Sequence, residues 1–150
     1  MLIKTLSDIF ERDLNKLKDE INLYEDESKL WKLSKEINNA AGNLCLHLIG
    51  NLNHFIGSIL GNSGYKRERD LEFSKKNVKR SDLLEMIDDT KVVVNKTLSS
   101  LRNNDLHKNF PVEKHGEIVT TNFMLIHLIT HFNYHLGQIN YHRRLIRDNI

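Results

Sequence analysis

Apolar residues recur along the first two dozen positions at the period of a helix. Ile3, Phe10, Leu17 and Tyr24 are spaced by seven, and Leu6, Leu14 and Ile21 fill the adjoining positions. Lys and Glu lie opposite, so LIKTLSDIFERDLNKLKDEINLY reads as one amphipathic helix. YEDES breaks the pattern, and KLWKLSKEI reads as a short helical piece before the next segment. The second segment, NNAAGNLCLHLIGNLNHFIGSIL, runs from about Asn38 to Leu60. It is apolar on more than one side and is expected to be more buried than the first. Gly42, Gly50 and Gly57 lie inside it, where each glycine costs ~1 kcal/mol against alanine. They point to close approach of another backbone or a ligand, with a bent or locally flexible helix as the plainer account. GNSG then ends the segment.

A third segment, DLLEMIDDTKVVVNKTLSSL, begins after Ser81, a candidate N-cap, and puts Asp82 in the first turn where the helix dipole favours negative charge. A fourth runs from about Thr121 to Arg147, with Thr120 or Thr121 as cap and Arg143, Arg144 and Arg147 at its C-terminal end. No segment reads as a strand, and there is a single proline, Pro111. The connectors, roughly 61–80 and 102–119, are too long for tight helical hairpins. The expectation is an all-α chain, a four-helix bundle with long crossover connections, forming one domain over 1–150.

Composition narrows the function. A chain of 150 residues buries a real core without disulfides or a structural metal. A formal charge of +2, with basic and acidic residues interspersed, lacks the one-sided stripe that phosphate neutralisation demands, so no nucleic-acid partner is expected. No stretch offers ~18 uninterrupted apolar residues, so no membrane span is expected, and the acidic N-terminus lacks a signal peptide's apolar run. Cys45, the one cysteine, sits in an apolar run; a lone thiol suits a reducing compartment, and a cytoplasmic location is expected.

The candidate chemistry lies in the histidines. In THFNYHLGQINYHRR, His131, His135 and His142 follow one another on the fourth segment, with His127 just upstream. Residues four apart share a helix face about 6 Å apart along the axis, so His131 and His135, or His127 and His131, can close on one ion. The pattern is not that of a zincin, because Phe132 stands where its glutamate is needed. Two ligands hold an ion poorly, and the second segment offers His47 and His54 on a shared face. His47 lies near the middle of its segment, level with the midpoint of a helix packed alongside, which favours it over His54. His54, His107, His115, His127 and His142 are otherwise read as ordinary packing or solvated side chains. Cys45, two residues from His47 and ~200° around the helix, should be plain core.

HLIGNLNHFIG (47–57), GYKRERDLEF (64–73) and HFNYHLGQINYHRRL (131–145), in that order, resemble the DinB/YfiT-like metalloenzyme family, and its uncharacterised branch most. HxxxHxGQI combined with the upstream HLxGN is far more specific than either part. The resemblance implies a four-helix bundle whose metal ligands are His47, His131 and His135. It further implies zinc or nickel as the ion and a homodimer. Superfamily members include transferases and isomerases that use low-molecular-weight thiols, while many others have no known activity. A metal-dependent thiol transferase or hydrolase acting on a small molecule is thus one reading, and a non-catalytic metal-binding or interaction protein of the same fold is the other. Around the three ligands, Gln138, three residues beyond His135, and Asn51, one turn beyond His47, are candidates to hold a ring N–H or a water, or are ordinary packing amides. Arg67 and Arg69, with Asp70, could grip an anionic substrate, or form a solvated connector with a structural ion pair. Tyr134, ~100° around the helix from His135, is expected to pack between helices.

Overall fold

The computed structural model describes residues 1–147, and of Arg147 the backbone alone, so the expected role of that side chain at the helix end lies outside what is described. The described residues form helices and no strand. Four long helices are α1 (Leu2–Asn22), α2 (Ala41–Leu52), α4 (Arg80–Ser100) and α5 (Thr121–Arg147), and a short one, α3, spans Arg69–Ser74. α1 packs on α4 and α5, and α2 packs on α3, α4 and α5. No helix among the described residues is long and apolar enough to cross a membrane.

The period-seven stripe of α1 is the face it buries: Leu6, Phe10, Leu14, Leu17 and Ile21 meet Leu83, Ile87, Val94 and Leu98 of α4 and Leu125, Leu128 and Phe132 of α5 in one core. Full burial of such side chains stabilises by about 1.5–3 kcal/mol each before the entropy of ordering them is set against it. A polar seam fixes the register of α1 on α5. Buried Asp13 accepts from Asn133 at 2.5 Å, and one helical repeat further Glu20 accepts from Asn140 at 2.7 Å and Arg143 at 2.9 Å. Every residue of α2 is buried, as its apolar circumference anticipates. Cys45 is fully buried core, and burial alone pushes its thiol up to about 12.

Several local expectations differ from what is seen. The second segment starts at Ala41 rather than Asn38, and from Asn53 to Leu60 its hydrogen bonding changes to the wider π type. The helical piece after the first segment is a 3₁₀ turn over Glu27–Trp31, earlier than KLWKLSKEI suggested. α4 begins one residue before Ser81, with Lys79 at the cap position and no side-chain cap bond, whereas Asp82 does sit in the first turn. Thr120 caps α5, its Oγ1 accepting from Phe123 N at 3.1 Å. The 61–80 connector contains α3, and the 102–119 connector contains a 3₁₀ turn over Asn103–His107 and two isolated β-bridges, Asn109 with Thr120 and Lys114 with Glu117. The glycines of the second segment do mark close approach, but by side chains: a Cβ on Gly42 would meet the Trp31 ring at 2.7 Å, and one on Gly57 would meet Val93 at 2.9 Å. A Cβ on Gly50 would collide with the carboxylate of Glu72.

Candidate metal centre

His47 sits in the middle of the buried α2 helix, and His131 and His135 stand one turn apart on the facing side of α5. The three rings meet edge to face. His47 lies 5.1 Å from each of the other two, which are 4.6 Å apart, with interplanar angles of 73°, 88° and 84°. One nitrogen from each ring lies within 4.8 Å of the other two. His47 Nε2 and His131 Nε2 are 3.2 Å apart.

The outward nitrogens explain why these edges face inward. Glu72, on α3, accepts from His47 Nδ1–H at 3.0 Å through Oε1. Arg67 clamps the same carboxylate through both oxygens, Nε to Oε2 at 2.9 Å and Nη2 to Oε1 at 3.0 Å. Burial pushes the Glu72 carboxyl up, but hydrogen bonds from His47 and Arg67, with the charge of Arg67, outweigh it and hold the group below its ordinary value. A carboxylate there accepts only, so His47 carries its proton on Nδ1 and presents a bare Nε2. Gln138 does the same for His135: its Oε1 accepts from Nδ1–H at 2.7 Å. His131 Nδ1 is buried with no partner among the described residues. Burial, then the charges of His135 and His47, pushes His131 down to about 3. Burial also lowers His135, against the bond to Gln138. Burial thus favours the neutral ring of His131 and of His135, the state that can donate a lone pair.

α3 is held in place so that Glu72 can reach. Asn43 of α2 donates to the carbonyls of Glu72 at 3.1 Å and Lys75 at 2.8 Å, tying down the C-terminal end of α3. Gly50 leaves the space that the Glu72 side chain fills. Phe73 covers the other side of His47, ring to ring at 4.9 Å. Neither Glu72 nor Asn43 was singled out from the sequence. The available signal was Glu72 itself, an acid flanked by Leu71 and Phe73 within an otherwise charged connector.

The remaining histidines fall elsewhere. His142 is buried, its Nε2–H donating to Lys32 O at 2.8 Å and its Nδ1 2.7 Å from the Tyr24 hydroxyl. His127 stacks on His131 at 6.4 Å and on Phe123 at 6.5 Å. His54 lies past the change to π-type bonding, where the seven-residue ruler that aligned it with His47 no longer holds, and its ring rests on Phe55 at 4.7 Å. His107 and His115 are exposed in the connector. Tyr134 is 67% exposed, so it is not packed between helices of this chain. Asn51 is buried near His47 with its Oδ1 unpartnered, and it lines a cavity beside the His47 and His131 rings together with Arg67 and Arg69. Arg67 is thus both a cavity residue and one half of a structural ion pair, while Asp70 makes no ion pair among the described residues.

The donor set fits a divalent ion. Zinc–nitrogen bonds of about 2.0–2.1 Å at tetrahedral angles place nitrogens about 3.3 Å apart, the spacing that His47 and His131 already approach. Two of the three rings have the far nitrogen anchored by an acceptor, as ligand histidines characteristically do. An all-helical chain with three such converging imidazoles could hold a metal ion. The chain belongs to the family described as protein of unknown function (DUF1572), whose model matches residues 2–150. That family lies within the DinB/YfiT-like superfamily. No curated protein matches the chain.

Proposed function

We propose that the chain is a divalent-metal protein with zinc or nickel held by His47, His131 and His135, and that the ion serves a metal-dependent enzyme of the thiol-transferase or hydrolase type. The observation that carries this reading is the orientation of the rings: Glu72 and Gln138 hold the Nδ1 protons of His47 and His135, leaving their other nitrogens to face His131. In this reading the four long helices make a four-helix bundle with crossover connections and one domain over 1–150, working as a cytoplasmic homodimer.

A divalent ion on three neutral imidazoles supplies positive charge and free positions that acidify a water or a thiol, the latter fitting a low-molecular-weight thiol as co-substrate. The protein's part is positional. Arg67 fixes Glu72, Glu72 fixes the tautomer and plane of His47, and Phe73 keeps water off that ring. Gln138 does the equivalent for His135 from the next turn of α5.

The test is metal uptake followed by turnover. Protein stripped of metal, incubated with zinc or nickel and desalted is expected to retain close to one ion per chain; no retention of either would overturn the site. The loaded protein is then assayed with small thiols plus electrophiles, and with ester and amide substrates. Metal-dependent turnover in either panel supports the enzyme, and retention of metal without turnover in both supports a non-catalytic metal-binding protein.

A further inference from the structure

Beside the histidine cluster lies a cavity of about 260 Å³ whose walls include the His47 and His131 rings. Ligand pockets commonly span about 300–1,000 Å³, so this one suits a small molecule. Its charge is one-sided. Arg67, Arg69 and Lys114 line it, and no carboxylate does. Arg67 is neutralised by Glu72, with its guanidinium 5.9 Å from the Phe55 ring. Arg69 and Lys114 have no ion-pair partner among the described residues.

The rest of the lining is Phe55, Met124 and Leu128, the rings of His115 and His127, and one amide, Asn51. Asn51 is 7% exposed and its Oδ1 has no partner. An unpaired buried amide costs about 1–3 kcal/mol, and a ligand with a polar group at that point relieves the cost. Turned either way, the amide offers a donor or an acceptor.

We infer that this cavity binds a small, partly apolar carboxylate, its anionic group engaged by Arg69 and Lys114 and its body enclosed by Phe55, Met124 and Leu128, within reach of the His47–His131 edge. The inference deepens the reading above and rests on it for the chemistry, but the charge of the cavity belongs to the chain itself.

The experiment titrates benzoate, and benzamide as its uncharged counterpart, into metal-free and zinc-treated protein followed by NMR, with zinc stoichiometry measured separately. Benzoate is expected to bind both forms and to bind the metal-free form about tenfold more tightly than benzamide. Arg69→Gln and Lys114→Gln are each expected to weaken benzoate about threefold or more while leaving zinc uptake unchanged. Equal affinity for benzamide, no binding to metal-free protein, or no effect of either substitution would overturn the inference. Benzoate binding retained in a protein that takes up no zinc would sink the metal reading and support the cavity's preference.

Discussion

His142 shares α5 with His131 and His135 of the three-histidine cluster, but the two regions differ in where their ring nitrogens point. His142, two turns beyond His135, has both nitrogens answered by the protein: Nε2–H donates to the Lys32 carbonyl, and Nδ1 faces the Tyr24 hydroxyl, which can donate to it. In the cluster, only the outer nitrogens of His47 and His135 are answered, and the inner ones face other imidazoles. A buried polar group is ordinarily paired, because leaving it bare is costly. His142 follows that rule and is structural. The cluster departs from it, with His131 Nδ1 unpartnered and the inner nitrogens facing one another, an arrangement that could hold a metal ion.

The largest expected effect separates the two directly. His135→Ala should lose retained zinc or nickel while the helical fold persists, since the core of Phe10, Leu48 and Phe132 does not depend on it. His142→Ala should retain metal and instead lose about 2–3 kcal/mol of stability, from a cavity and two abandoned partners. Chemical denaturation and elemental analysis on the same two variants read both halves of the contrast.

Next in size is Glu72→Gln. The amide can place its NH₂ toward His47 Nδ1, and it loses the charge that Arg67 clamps. Metal affinity is expected to fall about 10–100-fold, measured by competition with a chromophoric chelator. An unchanged affinity would mean that the orientation of His47 does not depend on the carboxylate.

The contrast extends to pH. Burial holds His142 below its ordinary value, against the opposing bond to the Lys32 carbonyl, and holds His131 down at about 3. An unfolded histidine titrates near ~6.5. Between that value and the folded-state values the unfolded chain binds more protons, so stability is fully present above about 6.5 and is lost as pH falls through the folded values. In metal-free protein, His131→Asn should flatten the pH dependence of unfolding more than His142→Asn does. Equal slopes would place the two rings in equivalent surroundings.

The smallest effect is Tyr24→Phe. Removing one hydroxyl from the His142 pair should cost about 1 kcal/mol and leave metal retention untouched. A loss of metal would link the two regions, contrary to this account.

The four long helices were legible because each writes its own period: the stripe from Ile3 to Tyr24 needs no knowledge of what it packs against. The His131–His135 pair was legible for the same reason, as i and i+4 on one helix, and His47 entered from the midpoint argument and the resemblance. What stayed hidden is non-local. Glu72 lies in a short helix among charged residues, and its inward turn depends on Gly50 and Asn43 of α2, more than twenty positions earlier. Gly50 announced a close approach, but nothing in the pattern says that a carboxylate makes it. The π-type stretch from Asn53 to Leu60 was equally unreadable, because a change in hydrogen-bond register leaves the residue order looking helical. Tyr24 and His142 sit at opposite ends of the chain, and only packing joins them.

The central claim is that one ion sits where the three inner nitrogens converge. Diffraction from crystals of zinc-loaded protein, recorded on both sides of the zinc absorption edge, tests it most directly. The account predicts a single strong anomalous peak per chain within about 2.0–2.1 Å of a nitrogen of each of His47, His131 and His135. Zinc bound at His127, His142 or another surface group, with no peak among the three rings, would contradict it.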